Sequence, residues 1–133
     1  MLLRKSIPLL LISLLLSPLS ALALSRVELA QQGLDAYRAG EYDAAVVAWQ
    51  QMIELEPENT DAYNNLGATL YQLGELDAAA DAYRQALEID GTSADTYNNL
   101  GTVLALQEKY DEAAAAYSQA IELDPELPEA YEN

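Results

Sequence analysis

The sequence predicts an all-α fold, a solenoid of stacked helical hairpins. Two observations carry this. Gly33, Gly67 and Gly101 sit 34 residues apart, and the string Tyr63-Asn64-Asn65-Leu66-Gly67 returns as Tyr97-Asn98-Asn99-Leu100-Gly101. A period of that size marks a stack of similar units rather than one closed globule. Within the units, apolar residues recur at three- and four-residue steps: Leu76, Ala79, Ala80, Tyr83, Ala86 and Leu87 in one stretch, Tyr63, Leu66, Gly67 and Leu70 in another. That spacing gives each helix one apolar stripe. Helices of about three to four turns are marginal alone. Burial between neighbours, at roughly 25 cal/mol per Å², must hold them. Stacks of this kind present an extended concave surface, and their usual work is binding.

Residues 1–23 stand outside the period. Arg4 and Lys5 give a positive start, Ile7 to Leu16 is an apolar run, and Pro18 and Ser20 lead into Ala21-Leu22-Ala23. This is the layout of a secretory signal, with cleavage expected after Ala23. It implies an exported protein, in a periplasm or an equivalent extracytoplasmic space. The other reading is an uncleaved membrane anchor, for which the apolar stretch is short and broken by prolines. No cysteine is present to take a lipid. Ser25 followed by Glu28 has the form of a capping box, which places the start of the first helix just after the cleavage point.

The units run 26–59, 60–93 and 94–127, and 128–133 open a fourth, with Tyr131 in phase with Tyr63 and Tyr97. Position eight is Gly33, Gly67, Gly101; position twenty is Ala45, Ala79, Ala113; position twenty-four is Trp49, Tyr83, Tyr117. Small residues at eight and twenty let the two helices of a hairpin approach closely. The aromatic at twenty-four is large enough to fill the wedge between hairpins. Pro57 and Pro125, at position thirty-two, stop the second helix.

In these positions the chain from Arg26 onward resembles the tetratricopeptide repeat. The resemblance implies a right-handed superhelix of three helix–turn–helix units. Several positions depart from the pattern. The first unit has Leu29 for the usual aromatic, Gln32 for leucine and Met52 for a small residue, as an outermost repeat often does. Gly91 replaces proline, so the second unit's last helix is expected to fray. Glu108 stands where Gly40 and Gly74 sit. If that turn is left-handed, Glu108 costs about 1 kcal/mol there.

Composition narrows the function. The formal net charge is −16, with 22 acidic and six basic residues. Such a surface repels nucleic acid, whose phosphates need Lys and Arg, and disfavours anionic membranes. It suits neutral or basic partners. The chain has no histidine and no cysteine, which removes disulfides, the commonest metal ligand and the commonest general base. No nucleophile–base set, phosphate loop or metal-ligand spacing occurs. No enzyme activity, cofactor or metal is expected.

The resemblance implies that the concave groove is lined by the first helix of each unit, at positions two, five, six, nine, twelve and thirteen. These are Val27, Ala30, Gln31, Leu34, Tyr37 and Arg38; then Asp61, Asn64, Asn65, Ala68, Tyr71 and Gln72; then Asp95, Asn98, Asn99, Thr102, Ala105 and Leu106. An asparagine amide gives and takes hydrogen bonds at once, which suits a peptide backbone. Asn65 and Asn99 either contact peptide, as the resemblance implies, or brace the neighbouring helix. Tyr37 and Tyr71 offer apolar area with a polar tip, or simply pack. Some members clamp carboxylate tails with bases. Here Arg38 is the only base at these positions, and Asp61 and Asp95 lean toward a basic or neutral peptide. At the other end, Ala116, Tyr117, Ala120 and Ile121 lack a following helix. They are expected to form an uncovered face where a second copy or a partner docks. The leading reading is an exported scaffold for a protein segment; the alternative is a self-assembling structural piece.

Overall fold

The computed structural model describes residues 18–126, with side chains from Ser25 onward. The proposed leader's first 17 residues and the start of the fourth unit lie outside the described residues. Six helices follow one another: α1 (Pro18–Ala39), α2 (Tyr42–Leu55), α3 (Thr60–Gln72), α4 (Leu76–Ile89), α5 (Ala94–Leu106) and α6 (Tyr110–Leu123). Helices α1 and α2, α3 and α4, and α5 and α6 form three hairpins. The hairpins stack through α2 on α3 and α4 on α5. This is the all-α solenoid of three repeats.

Within each hairpin, position eight meets position twenty-four. A Cβ placed on Gly33, Gly67 or Gly101 would fall within 3 Å of the ring of Trp49, Tyr83 or Tyr117 respectively. The aromatic packs on bare backbone, so a larger residue there must push the ring away. The Tyr83 and Tyr117 rings also join the core, where they share one buried cluster with Leu100, Val103 and Leu104.

Starts and stops are local. Asn59 caps α3 by accepting from the Ala62 N–H at 2.9 Å, and Ser93 caps α5 by accepting from the Thr96 N–H at 3.2 Å. The expected cap at Ser25 does not form, because α1 starts at Pro18 and Ser25 lies within the helix. Proline is tolerated at a helix start, and nothing from Leu19 to Leu24 breaks the run. The expected fraying beside Gly91 is not seen either. Helices α2, α4 and α6 end in phase at Leu55, Ile89 and Leu123. After α4 the turn is held by Asp90, whose carboxylate accepts from the Thr92 N–H and hydroxyl. The short turns inside the hairpins are left-handed: φ is 76° at Gly40 and Gly74, and 61° at Glu108.

One departure of the first unit, Gln32, has a physical reason. In the later units, Ala62, Thr69 and Leu70, and Thr96, Leu100, Val103 and Leu104, are buried against the preceding hairpin. Among the described residues no hairpin precedes the first unit, and its equivalents Glu28, Gln32 and Asp35 are exposed and polar. A polar outer face is what an end unit requires.

Candidate functional site

The groove forms where α1 and α3 run side by side above α2. Trp49 is its floor, only 3% exposed. The Trp49 indole N–H donates to Thr69 Oγ1 at 3.2 Å, and the Thr69 hydroxyl donates to the Asn65 carbonyl at 2.7 Å. This relay satisfies the buried indole and fixes the backbone that carries Asn65. A pocket of about 240 Å³ opens above it, lined by Leu34, Tyr37, Trp49, Asn65 and Ala68. A second, of about 260 Å³, shares Leu34, Trp49 and Asn65 and adds Ala30, Met52, Asn59, Asp61 and Ala62. The Asn65 carboxamide makes no hydrogen bond to a described residue.

The sequence mapping is met unevenly. Tyr37, Asp61, Asn65 and Ala68 line this cleft, as do Ala30 and Leu34. Tyr37 also packs edge-on against Tyr42, with ring centroids 5.6 Å apart. Asp95 and Asn99 are exposed, and Tyr71 is half-buried against the core. Arg38 lines neither pocket; it is exposed and sits 3.6 Å from Asp35.

In the second and third units position five, unlike Ala30 in the first, does not face the groove. Asn64 Oδ1 accepts from the Thr96 hydroxyl at 2.9 Å, tying the second hairpin to the third. Asn98, its equivalent, is buried at 8% exposure, and its Oδ1 has no partner among the described residues. Position five lies one residue, about 100° of helix rotation, from position six, and that turn carries it into the seam between hairpins. Thr102 is also tied inward: it donates to the Asn98 carbonyl at 3.1 Å and accepts from the Tyr117 hydroxyl at 3.2 Å.

The uncovered face is also displaced from its expected place. Ala116, Tyr117 and Ala120 are buried, and Ile121 is half-buried. Tyr117 is turned onto Gly101 of its own hairpin. The exposed positions of α6 include Tyr110, at 65%, and Ala114. Their equivalents in the second unit, Leu76 and Ala80, are half-buried and 1% exposed. The sequence mapping missed Trp49 and Met52 as groove-lining residues, although tryptophan in place of tyrosine at position twenty-four was a visible signal.

Two ionisable networks flank the site. Glu56 bonds Asn59 at 2.7 Å and pairs with Arg26, which ties α1 to the turn before α3. These two partners, Asn59 first, hold its carboxyl below the usual range. Burial, with the Tyr37 and Tyr71 hydroxyls nearby, pushes the Tyr83 phenol well above its ordinary value. Among the described residues no group of His, Cys, Asp or Glu is placed to hold a metal, and no helix is long and apolar enough to cross a membrane.

Family models for the tetratricopeptide repeat match residues 30–94 and 94–127. The chain belongs to the tetratricopeptide repeat family. No curated protein matches it. Among solved tetratricopeptide structures, it is similar to the Arabidopsis OM64 domain, with 25% identity and a TM-score of 0.79, covering 83% of this chain and 91% of that one. MamA is 27% identical with a TM-score of 0.77, over 80% of this chain and 62% of that one. The first such domain of Spaghetti (RPAP3), bound to the HSP90 peptide SRMEEVD, is 21% identical with a TM-score of 0.79, over 82% and 86%.

Proposed function

We propose that this protein is a non-catalytic scaffold that holds an extended segment of a partner protein in its concave groove. We further propose that the segment is neutral or basic rather than a carboxylate tail. The observation that carries this reading is the largely apolar cleft around Asn65, whose carboxamide bonds no described residue, with no Lys or Arg among its lining residues. The similar domains of RPAP3 were solved with peptides ending in EEVD. Asp61 in this cleft, and the net charge of −16, oppose a ligand of that sign. The charged head, apolar run and Ala21-Leu22-Ala23 support export of the scaffold.

Self-assembly through the last hairpin draws on exposed Tyr110 and Ala114. The shared negative charge weighs against two copies meeting. The test is affinity capture from host extract with the wild-type chain and with a variant carrying Asn65→Ala and Asn99→Ala. A partner held by the wild type and lost by the variant, with helicity unchanged, is the expected result. Equal capture by both refutes the groove.

A further inference from the structure

The two pockets at Asn65 differ in chemistry. Both are smaller than the roughly 300–1,000 Å³ that takes a drug-sized ligand, and each suits a single side chain. The pocket under Tyr37 has apolar walls in Leu34 and Ala68, and its indole N–H is already given to Thr69. The neighbouring pocket is reached by Asp61, an exposed carboxylate with no ion pair among the described residues. The two pockets adjoin, sharing Leu34, Trp49 and Asn65. An extended peptide presents residues i and i+2 to one side, about 7 Å apart. The backbone N–H and C=O groups between them point sideways to the groove walls, within reach of a side chain such as Asn65, which borders both pockets and is donor and acceptor together.

Resting on the groove reading above, we propose that the ligand is an extended peptide with an apolar residue and a lysine or arginine two positions apart. The apolar side chain seats against Leu34, Tyr37, Trp49 and Ala68. The cation lies beside Asp61, and Asn65 holds the backbone between them. Recognition is concentrated at the first two hairpins. Asn99, the equivalent of Asn65 in the third, is exposed, and Thr102 is occupied by Tyr117.

The test is a phage-displayed library of random twelve-residue peptides selected on the full chain. Binders are then measured as synthetic peptides, using the emission of Trp49, the single tryptophan of the sequence. Enrichment of the apolar-x-basic spacing, in either direction, is expected. Replacing the apolar residue with serine, or the basic one with glutamate, weakens binding at least tenfold. Asp61→Asn reduces the preference for the cation over serine to less than twofold. Ala68→Leu fills the apolar pocket and removes both binding and the Trp49 response. Should Ala68→Leu not fold, the Asp61→Asn result decides alone, since that side chain is exposed. Binders that need Asn65 but lack the spacing overturn this proposal and leave the groove reading standing. Binders indifferent to Asn65→Ala, Asp61→Asn and Ala68→Leu, or no binders at all, overturn both.

Discussion

Replacing Glu108 with glycine should stabilise the protein. The three hairpin turns are equivalent, and two have glycine at the left-handed position. A side chain in that conformation costs about 1–2 kcal/mol. Glycine adds freedom to the unfolded chain, which takes back roughly 0.5–1 kcal/mol. The net gain is therefore about 0.5–1 kcal/mol, or roughly 3–6 °C in Tm for a domain near 100 residues. Glu108→Gln keeps the backbone problem while removing the charge, and should leave Tm nearly unchanged. The reciprocal change, Gly74→Ala, should lower Tm. A Cβ on Gly74 meets nothing within 4 Å, so that loss reports the backbone alone. Thermal unfolding followed by circular dichroism, at one protein concentration, measures all three. A Tm for Glu108→Gly at or below wild type, or equal gains for glycine and glutamine, refutes the reasoning.

Other outcomes follow from the packing and the networks. Gly67→Ala forces a methyl to within 2.8 Å of the Tyr83 ring and should destabilise by about 1–3 kcal/mol, read from urea midpoints. Thr69→Val leaves the buried Trp49 N–H without its acceptor and should cost about 1–3 kcal/mol; adding Trp49→Tyr should recover part of this in a double-mutant cycle. Glu56 and Asp90 both titrate below the ordinary carboxylate range, Asp90 because the Thr92 hydroxyl and then its backbone N–H bond the anion. A depressed carboxyl stabilises the fold at neutral pH and loses that contribution as pH falls through its folded value. Carboxyl NMR should therefore show both protonating late on acidification, with Thr92→Ala moving Asp90 back upward.

The fold was legible because the repeat fixes both period and phase. Gly33 and Trp49, read only as small and large, turned out to be partners, and every hairpin repeats that pairing. The left-handed turn at Glu108 was visible as an exception to two glycines. The groove was legible to about half. Periodicity gives the face of a helix but not which of two adjacent residues clears the seam, so Asn65 reached the groove while Asn64 did not. The end face slipped for a similar reason. Tyr117 has its own glycine to lie on and is buried, and the exposed positions include Tyr110 and Ala114. The start of α1 was missed because a capping box identifies a helix end only when the preceding residues resist helix, and Leu19 to Leu24 do not.

The two junctions of the stack use different locks. At the first, the Trp49 indole finds the Thr69 hydroxyl, while alanines, Ala30 and Ala62, occupy the places that Asn64 and Thr96 hold at the second. At the second, Asn64 finds Thr96, while Tyr83 and Val103 stand where the first has Trp49 and Thr69. Transposing the second and third hairpins would set an indole N–H against valine and strand Thr96 opposite alanine. The two junctions are thus not interchangeable, although the hairpins that meet there are near-copies.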